Sequence, residues 1–142
     1  MTLEELNNKI QAFDIVSEID KTIKDEQSVI VDTITQEQLY EKGIDGAGQS
    51  LGDYAPRTKV IKQAKGQKTD NITLKDTGDF YAGFEVRGQN GAYDITSNDW
   101  KTSKLENAFG SKIFELTEQN KNEIIQKDII PAITQKLQKA IS

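Results

Sequence analysis

Asn71-Ile-Thr-Leu-Lys-Asp-Thr-Gly-Asp-Phe-Tyr-Ala-Gly-Phe-Glu-Val86 joins a long, polar, glycine-rich segment to the clearest β pattern in the chain, and its reading decides the fold. Ile72 and Leu74 alternate with polar residues, which predicts a short strand. Asp76-Thr77-Gly78 predicts a turn: Asp76 accepts backbone N–H bonds, Gly78 takes dihedrals that side chains avoid, and Phe80, Tyr81 and Phe84 enter a core. Beyond the turn, Phe84, Val86, Tyr93 and Ile95 alternate around Asn90-Gly91. That dipeptide favours a two-residue type I′ hairpin, whose register sets Val86 opposite Ile95 and Arg87 opposite Asp94.

Asp-Thr-Gly is also the signature of aspartic proteases, in which two carboxylates share a proton. Its flanks oppose that chemistry here. Lys75 stands where an apolar strand should lead in, Asp79 stands where a small residue should follow, and no later apolar turn exists to cradle a catalytic loop. A metal-dependent hydrolase built on Asp76 and Asp79 is the other enzymatic reading of the same stretch.

Upstream, Thr2 and Glu5 form a capping box. Leu3, Leu6, Ile10, Phe13, Val16, Ile19 and Ile23 follow as one apolar stripe, predicting a helix of about six turns. The stripe weakens over Lys24–Gln27 and resumes at Val29, so the pattern leaves open whether the helix runs on past residue 25. Thr35 with Gln38 offers a second capping box for a short helix that Gly43 would end. From Gly43 to Asp70 periodicity is lost, and the segment reads as an extended loop, mobile until neighbours order it. Asp45-Gly46-Ala47-Gly48 lacks the alternating oxygen ligands of a calcium loop, and no Gly-Lys-Ser/Thr completes a phosphate loop. Downstream, Ser103 with Glu106 caps a helix ended by Gly110, and Thr117 caps a final helix. Pro131 must kink that helix or sit in the first turn of a second one beginning near Asp128. The order helix, helix, loop, small antiparallel sheet, helices predicts one α+β domain over residues 1–142.

Composition narrows the chemistry. The chain contains neither Cys nor His, which removes thiol and imidazole catalysis, disulfides and nearly all zinc sites, so no metal or cofactor is expected. The N-terminus is acidic and carries no apolar run, and no stretch is long enough to span a bilayer, so a soluble chain starting in a cytoplasm is expected. Net charge is −5 but unevenly spread. Residues 1–50 hold 4 basic and 11 acidic side chains, whereas residues 51–75 hold 6 and 2. A solvated surface would explain this; so would head-to-tail association of a basic loop with an acidic face. Tyr54, Arg57, Lys59, Lys62 and Lys65 are the subunit-interface candidates on the second reading, and Asp76, Thr77, Gly78 and Phe80 form the structural turn. Nucleic-acid binding by the basic residues 57–68 is a third possibility, with Tyr54 its only interleaved aromatic.

Taken as an ordered set, Gln38-Leu39-Tyr40-x-x-Gly43-Ile44-Asp45-x-x-Gly48, Tyr54-x-x-x-Thr58-x-x-x-Lys62 and Thr73-Leu74-x-Asp76-Thr77-Gly78-Asp79-Phe80-Tyr81 resemble a family of tailed-phage and prophage virion proteins. The Thr-Gly turn followed by an aromatic and a strand resembles, more distantly, head–tail joining (neck connector) and tail-completion proteins. The resemblance covers residues 36–117 and carries over no catalytic residue. It implies a structural subunit that forms a homo-oligomeric ring at the virion neck, contacts portal, neck or tail proteins of the same virion, involves no membrane, and meets DNA only as cargo passing through the ring. Its location would be the virion, and the host cytoplasm during assembly.

Overall fold

The computed structural model describes residues 1–142, with the side chain of Gln89 excepted. It is a mixed α+β fold, mostly helical, with one two-stranded antiparallel sheet. Helix α1 (Leu3–Ala12) opens on the expected capping box, Thr2 with Glu5. The single six-turn helix does not form, because Phe13 turns extended and the Asp14 carboxylate caps a new helix, α2 (Ile15–Asp25), by accepting from Ser17 N–H at 3.2 Å. A carboxylate at such a position competes with helical continuation by satisfying an orphan N–H. Past residue 25 the chain stays helical: α3 (Gln27–Asp32) runs into a wider, π-helical segment, Thr33–Lys42. Thr35 therefore caps nothing; its hydroxyl donates back to the Val31 carbonyl at 2.8 Å. Gly43 closes the segment in the left-handed region, φ +62°, as its sequence position predicted.

Residues 43–70 are not a structureless loop. Ile44 and Ser50 form an antiparallel bridge around Asp45, whose carboxylate accepts from the N–H groups of Ala47 and Gln49. Helix α4 (Pro56–Ala64) follows, with Pro56 in its first turn. Nor does a strand form at Ile72 and Leu74: Leu74 lies at φ +57°, which reverses the chain there. Gly78, at φ +92°, precedes the one-turn helix α5 (Asp79–Ala82), which delivers Phe80 and Tyr81 to the core.

The hairpin forms as its sequence dictates. Strands β1 (Phe84–Gln89) and β2 (Ala92–Ser97) pair with Val86 opposite Ile95 and Arg87 opposite Asp94, and both turn residues have positive φ. Helix α6 (Thr102–Phe109) starts without the expected Ser103 cap; Thr102 instead donates its hydroxyl to the Ser97 and Asp99 carbonyls. A 3₁₀ turn at Ser111–Phe114 buries Ile113 and Phe114. Thr117 caps α7 (Glu118–Ile124) by accepting from Asn120 N–H, as expected. One π-helical turn, Ile125–Ile129, then precedes α8 (Ile130–Ile141), so Pro131 stands in a first turn, where its missing N–H costs little.

The core gathers Ile30, Ile34, Leu39, Ile113, Ile124 and Ile129 around an aromatic cluster. Phe80 meets Phe84 edge-on at 5.1 Å and Phe114 at 5.9 Å between ring centroids. Gln38, fully buried among them, donates to the Glu115 carbonyl and accepts from Thr117 N–H and the Asn120 amide, bolting the π-helical segment to the C-terminal half.

Candidate assembly surfaces

Two surfaces stand apart from the packed body. The first is α4, which is amphipathic in the inverted sense. Positions 57, 60, 61 and 64 share one helical face, and Arg57, Val60, Ile61 and Ala64 are all exposed. Val60 and Ile61 retain 66% and 50% of their accessible surface, more than an interior-facing stripe would keep. Lys62, on the opposite side, turns inward instead. Lys62 Nζ donates to the Lys75 carbonyl at 2.8 Å and to Gln67 at 3.2 Å, and lies 4.8 Å from the centre of the Tyr54 ring. Lys65 pairs with Asp76 at 3.1 Å, and Lys68 with Asp70.

Tyr54 anchors the entrance to this helix. Its hydroxyl accepts from Thr73 N–H at 2.9 Å and lies 3.1 Å from Thr73 Oγ1, while Tyr81 donates its hydroxyl to the Thr73 carbonyl. Thr73, almost fully buried, is thus gripped by two tyrosines from opposite sides of the sequence. Burial raises the Tyr81 phenol far above its ordinary pKa. Of the five interface candidates, Tyr54, Lys62 and Lys65 bond within the chain through their side chains, while the side chains of Arg57 and Lys59 have no hydrogen-bond or ion-pair partner among the described residues.

The Asp-Thr-Gly turn serves this anchorage, with one correction to the expected bonding. Asp76 accepts from the Gln67 amide at 2.9 Å and from Lys65, not from backbone N–H groups; Thr77 takes that role, accepting from Asp79 N–H at 3.3 Å. The Gln67 bond and then the Lys65 ammonium hold the Asp76 carboxyl below the usual carboxylate range.

The second surface is a cleft of about 580 Å³ between the hairpin and the C-terminal half. Ile23, Val86 and Ile95 form one wall, and Phe114, Leu116, Ile124 and Ile129 the floor and opposite wall. Asp94, Glu106, Glu115 and Glu118 stand at its rim against the single cation Lys121, which pairs with Glu118 at 3.0 Å. The hairpin wall is held by Asp20 of α2, whose carboxylate accepts from the N–H groups of Asn90 and Gly91 at 3.0 and 3.1 Å and from the Tyr93 hydroxyl at 3.3 Å.

No family model matches the chain, and neither does any curated protein or solved structure. Among the described residues no three acidic side chains gather as a metal site requires, and no helix is long and apolar enough to cross a membrane.

Sequence reasoning named Arg57 and Lys59 as interface candidates on a loop and missed that they stand on a helix with Val60 and Ile61 exposed between Gly52 and Gly66. The signal was present: Pro56 suits a first helical turn, and 57, 60, 61 and 64 follow helical spacing. The cleft had no local signal, because its lining is drawn from residues between 23 and 129.

Proposed function

We propose that this chain is a structural subunit of a tailed-phage virion, a ring-forming connector that joins head to tail or completes the tail. The observation that carries the reading is the inverted helix α4, which turns Lys62 to the body and Val60 and Ile61 to solvent. Apolar side chains beside Arg57 and Lys59, whose own side chains are unpaired among the described residues, suit a surface that is covered on assembly. The residues that carry the resemblance have structural employment consistent with this: Gln38 and Leu39 are buried, Tyr54 and Thr73 bond each other, and Phe80 sits in the core. Portal, neck or tail proteins of the same virion are its partners, and DNA passes through the ring as cargo.

The test is the state of the purified protein over a wide concentration range, by native mass spectrometry and negative-stain microscopy. Closed rings of one stoichiometry are expected. A chain that stays monomeric throughout would overturn the reading, and acid-optimal peptide cleavage abolished by Asp76→Asn would replace it with an enzymatic one.

A further inference from the structure

We infer that the occupant of the cleft between the hairpin and the C-terminal half is helix α4 of a second copy of this chain. The inference rests on the assembly reading above and adds the two surfaces that meet. Three observations converge on it. First, the two surfaces are complementary in charge. The cleft rim carries four carboxylates against one lysine, and the exposed face of α4 carries Arg57, with Lys59 beside it, both with side chains unpaired among the described residues. Second, they are complementary in polarity. Val60 and Ile61 project from α4 as a short apolar ridge, and the cleft offers an apolar floor of Phe114, Leu116, Ile124 and Ile129. Third, the chain's own α4 leaves the cleft open, because no residue between 31 and 85 lines it.

The contact uses different patches on the two copies and is therefore heterologous. Such a contact repeats around an axis and closes into a ring when the rotation permits. An isologous dimer would set like charges together unless its axis brought each α4 to the other copy's cleft, and that arrangement would stop at covalent dimers where a head-to-tail contact continues. In the heterologous arrangement the apolar ridge supplies the affinity, and the exposed charges set register and encounter rate.

The chain has no cysteine, so engineered thiols report the contact cleanly. Val60→Cys and Ile125→Cys together place one thiol on the ridge and one at the cleft, both at solvent-accessible positions. Mild oxidation of the double variant is expected to give a ladder of covalent multimers, while each single variant stays largely uncrosslinked and the two mixed give only dimers. Ile61→Cys with Tyr93→Cys is an independent pair should the first perturb folding, which circular dichroism would reveal. Charge reversal adds a second readout. Arg57→Glu with Lys59→Glu should abolish the ladder, and Asp94→Lys with Glu115→Lys in the same chain should restore it. Rings visible by microscopy without either ladder would overturn this contact, leave the assembly reading standing, and assign the cleft to a different virion protein. Self-crosslinking of Val60→Cys alone would also overturn it, in favour of an isologous contact. Absence of both ladders and rings at every concentration would overturn both proposals.

Discussion

Gly78 shows how a functional-looking tripeptide is absorbed by backbone geometry. At φ +92° it occupies a region that side chains avoid, and a Cβ placed there would meet nothing closer than Lys75 Cε at 3.8 Å. The cost of Gly78→Ala is thus conformational and not steric, on the order of 1 kcal/mol or more. Asp76 is exposed and tied only to Lys65 and Gln67, so Asp76→Asn should be much milder. Chemical denaturation of the two variants checks the ranking; equal losses would mean that the carboxylate, and not the glycine, sets the turn. The sequence made Gly78 and the buried Phe80 legible because dihedral demand and aromatic character are local properties. It misassigned the Asp76 contacts because Lys65 and Gln67 reach it from a helix end some ten residues upstream, where no spacing rule applies.

At the scale of elements, the hairpin was the most legible part, since turn chemistry and alternation independently fix the same register. Helix α4 was the least legible. It has nine residues and lies between glycines, and its short apolar spacing at 60, 61 and 64 does not tell which way the helix faces. Its attachment is polar, and Tyr54 is the main fastening. Removing that hydroxyl by Tyr54→Phe strands the buried Thr73 N–H, at a cost of about 1–3 kcal/mol, whereas Val60→Ser should change monomer stability by no more than about 0.5 kcal/mol. Thermal melts of both variants would check this. A Tyr54→Phe protein as stable as the parent would mean that α4 is held by something other than the Thr73 clamp. The split between α1 and α2 was hidden for a related reason: the apolar stripe runs unbroken through Phe13, and only the competing Asp14 cap interrupts it.

For the whole molecule, α+β organisation was readable from element order, but the long-range fastenings were not. Gln38, reaching residues 115–120, and Thr73, reached from 54 and 81, carry no mark in sequence that distinguishes them from surface polar residues. One such fastening gives the protein an alkaline limit. Burial raises the Tyr81 pKa above its ordinary value of 10.0, so the folded state keeps a proton that the unfolded chain releases. The Tyr81 contribution is complete below about pH 10, and stability should fall as pH rises further. Tyr81→Phe lowers the baseline, since the bond to Thr73 is lost, but should flatten the decline between about pH 10 and 12. Denaturation midpoints measured across that range give the slope. An unchanged slope would show that other groups govern alkaline unfolding, Tyr93 being the other phenol that burial shifts upward.

The Asp20 carboxylate acts as a latch. It clasps the hairpin tip from a helix 70 residues away in sequence, and the hairpin is one jaw of the cleft. The tip of that jaw is thus fastened by a polar latch, while its base packs against the core through Val86 and Ile95. Asp20→Ala should unlatch it: amide hydrogen exchange at Asn90 and Gly91 should quicken while the amides of the core around Leu39 keep their protection. Asp20→Ala would thus free the hairpin tip alone, a change at the mouth of the cleft that its packed base at Val86 and Ile95 need not share.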